Sequence, residues 1–187
     1  WIVNALYVRG GDLGALQRLQ GIEGIAHIRA PQVLTIPEPV ERGAAQSSTF
    51  TPLSMPWNLS IIEAPEAWAT TRGEDIVVAN IDTGVRYTHE ALAPHYRGYD
   101  GSSFSHDYNW YDPQGSTAPY DDHGHGTHTM GSIVGETEAG AAVGVAPGAR
   151  WIAADGCDSS DCPDVDLISS GEWLLAPCPV GVAPGSA

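Results

Sequence analysis

In the stretch "DDHGHGTHTMGSIVG", Asp121 to Gly135, three histidines fall within six residues beside two aspartates. Such residues serve three ends. Imidazole and carboxylate groups together can ligate zinc. One imidazole paired with a carboxylate can act as general base for a hydroxyl nucleophile. Otherwise the stretch is a polar loop. The spacing weighs against zinc, because His125 and His128 stand three apart rather than four, and no Glu follows the first histidine to serve as a base. A further carboxylate, Asp82, closes the apolar run in "EDIVVANIDTG". Carboxylates at the C-terminal end of a parallel strand stand where α/β folds gather their active sites.

These groups need elements to position them. The continuous run Ile76 to Ala79 predicts a buried parallel strand that stops at Asp82-Thr83-Gly84. Before it, "APEAWATT" reads as a short helix ended by Gly73; after it, "RGYDGSSFSHDYNWYDPQGSTAPYDD" is a polar and aromatic loop whose length predicts a binding or lid role. The histidine stretch then leads into a helix whose small residues, Gly126, Gly131 and Ser132, permit close packing. A Gly-Pro turn opens a second apolar strand in "AAVGVAPGARWIAAD", and "DVDLISSGEWLLA" places Val165, Ile168, Trp173 and Leu174 at helical spacing. Alternating strand and helix predict an α/β unit with a parallel sheet over residues 57–187. The repeat of "GVAPG" at Gly144 and Gly181 is too short for a structural repeat and reads as a flexible end.

The first 40 residues differ. "WIVNALYV" reads as a strand, Asp12 as the cap of a helix carrying Leu13, Leu16 and Leu19, and "GIAHI" as a second strand. This predicts a small α+β unit over residues 1–40, marginal on its own. From Pro37 the composition shifts to "PEPVERGAAQSSTFTPLSMP", without periodicity, so residues 41–56 are expected to be a linker.

Charge narrows the partners. There are 23 acidic residues against eight basic ones, all arginine, for a net charge of -15. Nucleic acid and anionic membrane surfaces are excluded as natural partners. Without lysine the chain can form neither a Schiff base nor a P-loop. No apolar run approaches the roughly 20 residues of a membrane span. The chain starts at Trp1 with neither Met nor a signal-peptide pattern, as expected of a processed product or a fragment. "CDSSDC" fits a short disulfide between Cys157 and Cys162 better than half a zinc site, and an oxidising compartment follows. Cys178 is left over, either as a free thiol or with a partner outside these residues.

"VVANIDTGV", then "HGTHTMGSIVG", then "GVAPGARWIAADGC", in that order, resembles the subtilisin-like serine proteases. "WNLSIIEAPEAWA", "RGYD", "YNWYD" and "SSGEWLLAP" are similar to segments of the bacillopeptidase F type within that family. The resemblance covers Trp57 to Pro177 and implies a subtilisin-like parallel sheet flanked by helices. It makes Asp82 the orienting carboxylate and His125 the general base of a secreted serine endopeptidase acting on protein or peptide substrates. A serine hydroxyl is a poor nucleophile until an imidazole takes its proton, and that imidazole needs an anion to hold its tautomer. The resemblance makes His128 structural; His123 reads as a loop residue, and Asp121 and Asp122 as solvated loop acids.

The family's Gly-Thr-Ser nucleophile motif and its oxyanion Asn segment do not occur in these 187 residues. Ser169 and Ser170 read as helix polar positions and Ser186 as tail, so the stretch is expected to be the N-terminal portion of a protease precursor, inactive alone. By resemblance, "ALYVRGGDLGALQRLQGIEGIAHI" is the second half of an intramolecular propeptide, with processing between Pro37 and Met55. No cofactor is assigned. Calcium is the ion the resemblance allows, but Ala91, beside Glu90, stands where many members carry an acid at one familiar calcium site. The sequon at Asn58 is read as chance. The rival readings are a non-catalytic remnant or binding module and, behind it, a metal-dependent hydrolase.

Overall fold

A strand with apolar side chains on both faces must be covered on both sides, and one such strand organises this chain. The computed structural model describes residues 3–37 and 55–185. In chain order the elements are α1 (Leu13–Leu19), β1 (Val33–Thr35), α2 (Trp57–Ile61), α3 (Ala64–Ala67), β2 (Val77–Asp82), β3 (Trp110–Tyr111), α4 (His125–Val134), β4 (Arg150–Asp155), β5 (Asp161–Pro163) and α5 (Asp164–Leu175). Strands β2, β4 and β3 form a parallel sheet in that order, with β4 central.

Alternation along β4 sends Trp151 and Ala153 to one face and Ile152 and Ala154 to the other. On the first, Met130 and Val134 of α4 complete a core with Trp110 and Tyr96. On the second, Trp173 of α5 and Cys178 close a smaller one. The fully buried tryptophans each satisfy their indole N–H: Trp151 donates to the Leu92 carbonyl (2.8 Å), Trp110 to Ser116 (3.0 Å) and Trp173 to Cys178 (3.2 Å). The α/β reading holds, with helices on both faces of a parallel sheet.

Three expectations change. Among the described residues the run Ile76 to Ala79 is not buried: β2 is at the edge of the sheet they form, Val77 is 44% exposed, and Ala79 is exposed too. Val78 and Asn80 face α4, while Val77 and Ala79 face the side that α5 covers only as far as Ile81. The long loop, expected to have a binding or lid role, is packed into the fold. It contributes β3, and Tyr87, Tyr96, Phe104 and His106 form an aromatic group beneath it, with the Tyr96 hydroxyl 3.1 Å from His106 Nδ1. The second "GVAPG" is not a loose end, because Val180 and Val182 pack against the two cores. Ser186 lies outside the described residues.

The third change concerns the N-terminal segment. Helix α1 forms as expected, with Asp12 accepting from the Ala15 N–H at 2.7 Å. Residues 3–8 and 24–28 form no strands, and β1 appears instead at Val33–Thr35, antiparallel to β5. A strand needs a partner edge; β5 offers one, while residues 3–8 and 24–28 are exposed along their whole length. Of the expected linker, residues 41–56, only Met55 and Pro56 are described. Cys157 and Cys162 are disulfide-bonded, and Cys178 is a buried thiol donating to the Val182 carbonyl at 3.3 Å.

Candidate active site

Asp82 is the last residue of β2 and His125 the first of α4, so the end of a strand meets the start of a helix. The approach is close because both sides lack side chains. A Cβ on Gly126 would stand 2.0 Å from the Gly84 carbonyl oxygen and 3.2 Å from Asp82 Cβ, and Gly84, at φ +84°, would put a Cβ 2.0 Å from the Tyr120 carbonyl oxygen. Glycine at both positions lets α4 dock onto the strand end.

The resulting contact is a hydrogen bond of 2.7 Å between His125 Nδ1 and Asp82 Oδ1. Asp82 is buried, and its carboxylate also accepts from the Thr83 N–H (2.8 Å) and the Thr129 hydroxyl (3.0 Å). An ionised carboxylate has no proton to give, so Nδ1 carries the hydrogen and Nε2 is left as an acceptor. Asn80, two residues before Asp82 on the same strand face, donates to Thr129 Oγ1 (3.1 Å) and the Gly126 carbonyl (3.2 Å), tying the helix to the strand a second time.

Asp121 differs from its sequence reading as a solvated loop acid. It is half-buried and accepts from the N–H groups of His123, Gly124 and Thr127, from the Thr127 hydroxyl at 2.5 Å and from the Thr83 hydroxyl at 2.9 Å. Burial pushes its pKa up, but these donors together hold it below the ordinary carboxylate value. Thr83 in turn accepts from the Gly126 N–H at 3.0 Å. Asp121 thus knots the loop entering α4 to the residue after Asp82.

A subtilase family model matches residues 73–183, which include both members of the pair and the whole parallel sheet. The chain belongs to the subtilase family. This subtilase is 36% identical over 185 residues, 95% of its length, to bacillopeptidase F of Bacillus subtilis, and 31% identical over 158 residues, 78% of its length, to the minor extracellular protease Epr of the same organism. Over 122 residues it is 34% identical to subtilisin Savinase of Lederbergia lenta. It spans 13%, 22% and 40% of those three relatives, respectively.

The other histidines of this subtilase separate cleanly. His128 lies on the exposed side of α4 rather than packed within it, and His123, with its ring centre 6.2 Å from that of His125, has a buried Nδ1 with no hydrogen-bond partner. Asp122 is exposed, as expected of a loop acid. Among the described residues no group of three or more His, Cys, Asp or Glu is placed to hold a metal. The Ala91 carbonyl accepts the Glu136 N–H, and Glu90 leans toward Arg86 and His89.

Asp155 was not singled out in the sequence, although it ends the second apolar strand as Asp82 ends the first. It ends β4 in register with Asp82, is only 2% exposed, and accepts the Cys157 N–H at 3.2 Å. Burial pushes its pKa up to about 6, against the pull of the Tyr120 hydroxyl and the Cys157 N–H; burial likewise raises Tyr120. The burial of Asp155 beside Tyr120 was visible only in three dimensions. Asn80, Thr83 and Thr129 were equally missed, although Asn80 and Thr129 sit two residues before Asp82 and four after His125, on the faces that meet.

Proposed function

We propose that this subtilase supplies the orienting carboxylate, Asp82, and the general base, His125, of a secreted serine endopeptidase acting on protein or peptide substrates. The observation that carries the reading is the 2.7 Å bond from His125 Nδ1 to Asp82. With Nδ1–H directed at the carboxylate, Nε2 can take the proton of a serine hydroxyl as it attacks a peptide carbonyl and later return it to the leaving amine. Asp82 stabilises the imidazolium between those steps.

The serine itself is assigned to a longer polypeptide. Ser169 donates to the Asp166 carbonyl and Ser170 to that of Asp155, so both hydroxyls serve α5 and β4. The 187 residues alone are therefore proposed to be inactive. Residues 1–40 are proposed to be a propeptide segment, and their ladder on β5 supports that reading. Secretion is supported by the disulfide and by a relative described as an extracellular protease. Calcium is not required by this reading.

Labelling with a fluorophosphonate, alongside a casein-hydrolysis assay, tests the proposal. The longer polypeptide should label and hydrolyse while the 187-residue chain does neither. His125→Ala should lower kcat by about a millionfold and Asp82→Ala by about ten-thousandfold, as removal of triad members does. An unlabelled longer protein would favour a non-catalytic member of the family, and one that keeps its kcat without His125 would remove His125 as the general base.

A further inference from the structure

The Thr129 hydroxyl carries one hydrogen and faces two acceptors, Asp82 Oδ2 and the Gly126 carbonyl oxygen, each 3.0 Å from Oγ1. Asn80 decides between them. Its amide nitrogen stands 3.2 Å from the Gly126 carbonyl and 3.1 Å from Thr129 Oγ1, so its two hydrogens serve one oxygen each. The Gly126 carbonyl also takes the helical bond of α4, which fills its second lone pair. What remains for the Thr129 hydrogen is the carboxylate, where a charged acceptor also gives the stronger bond.

The two oxygens of Asp82 are served unequally. Oδ1 accepts from the Thr83 N–H at 2.8 Å and from His125 Nδ1 at 2.7 Å, whereas Thr129 is the one donor to Oδ2 among the described residues. Asp82 is buried, so an Oδ2 without that donor would carry desolvated charge. Donors on both oxygens fix the plane of the carboxylate. Asn80 stands two residues before Asp82 on one strand face and Thr129 four after His125 on one helix face, which is why all four side chains meet. Asn80 Oδ1 is buried and has no hydrogen-bond partner. An unpaired buried carbonyl costs stability, so what the amide contributes at this place is its two hydrogens.

We propose that Thr129 is a positioning residue for the base: its hydroxyl, directed onto Asp82 Oδ2 by Asn80, holds the carboxylate in the plane that presents Oδ1 to His125 Nδ1. The proposal rests on the protease reading above. In the reaction His125 Nε2 takes the serine proton, and the imidazolium stays hydrogen-bonded to Asp82 through Nδ1. Thr129 is neutral and keeps its own hydrogen throughout. It therefore orients the carboxylate without cancelling the charge that stabilises the imidazolium, which a cationic donor at the same place would do.

Kinetics per active site, counted by fluorophosphonate labelling of the longer polypeptide, separate positioning from packing. Thr129→Val, which keeps the shape and loses the hydroxyl, should lower kcat about tenfold with KM within about twofold, and Thr129→Ser should return kcat to within about twofold. A Val variant whose kcat per labelled site is unchanged, whatever its stability, would overturn the proposal. Asn80→Ala should lower kcat about threefold to fivefold, and adding it to Thr129→Val should cost nothing further, because Asn80 acts through the hydroxyl. Additive losses would overturn the directing role of Asn80. Hydrogen exchange of the His125 Nδ1–H in the 187-residue chain reads the same contact without hydrolysis. It should quicken about fivefold or more in Thr129→Val and revert in Thr129→Ser. Equal rates in all three chains would overturn the proposal. If Thr129→Val fails to fold, Thr129→Ala against Thr129→Ser decides on both readouts. A longer polypeptide that does not label would count against the protease reading instead, and the exchange comparison then decides the role of Thr129.

Discussion

Around β4, three tryptophans are completely buried and each indole N–H has found a carbonyl, whereas α1 buries no residue and Leu6, beside it in sequence, is 95% exposed. Fully burying one large apolar side chain is worth about 1.5–3 kcal/mol. The sheet unit gathers many such contributions and the N-terminal segment almost none, so the segment depends on a three-residue ladder and one ion pair. The Asp82–His125 pair, by contrast, sits inside a network in which Thr83, Thr129, Asp121 and Asn80 each constrain it. The same chain thus holds one part by many mutually dependent contacts and another by a few replaceable ones.

Substitutions in the two regions should differ accordingly. Gly126→Ala is expected to do most damage, since its Cβ would fall 2.0 Å from backbone oxygen that cannot move aside cheaply. A loss of about 3 kcal/mol or more is expected in chemical denaturation, together with displacement of His125 visible in its ring NMR signals. Unchanged stability would mean that the helix and strand are not locked together as described.

Asp155→Asn comes next and should act in the opposite direction. Burial raises the folded-state pKa of Asp155 to about 6, against about 3.9 for an exposed aspartate. The folded state therefore binds the proton more readily, and its stability relative to the unfolded chain rises as pH falls from about 6 to about 4. Above about 6 the full cost of the buried charge is present. The Asn variant should be more stable at pH 7.5 by about 2 kcal/mol, with the difference vanishing near pH 4. A pH-independent difference between the two chains would contradict the assignment.

Asp12→Ala should have the smallest effect and sharpen the contrast most. Losing the cap of α1 costs about 1 kcal/mol of local helix stability. Because α1 buries nothing, the expected outcome is faster exchange across residues 13–19 with an unchanged melting temperature. A lowered melting temperature would show that the N-terminal segment is coupled to the sheet beyond its edge-strand contact.

Features resting on neighbours in sequence were legible beforehand. Helices α1, α4 and α5, strands β2 and β4 and the Cys157–Cys162 pairing follow from capping, periodicity and short spacing. Errors arose where a residue's environment comes from far along the chain. Val77 and Ala79 look like core residues until β2 is seen to be the edge of the sheet that the described residues form. Trp110 looks like a loop aromatic until it joins the core with Trp151 and Met130. The strands expected at residues 3–8 and 24–28 had the right residue types but no edge to join.

From the order of residue types alone came the parallel α/β alternation and a carboxylate, Asp82, at a strand end; the choice of His125 among three histidines came from the resemblance to the subtilases. Backbone sterics and hydrophobic period act over a few residues, so the sequence carries them openly. Tertiary structure decided the rest: that Asp121 is a knot rather than a solvated acid, that Asp155 is buried beside Tyr120, and that Val33–Thr35 lies on β5 with Arg29 against Asp164. Burial and hydrogen-bond partnership depend on residues tens of positions apart, and those meet only once the sheet has formed.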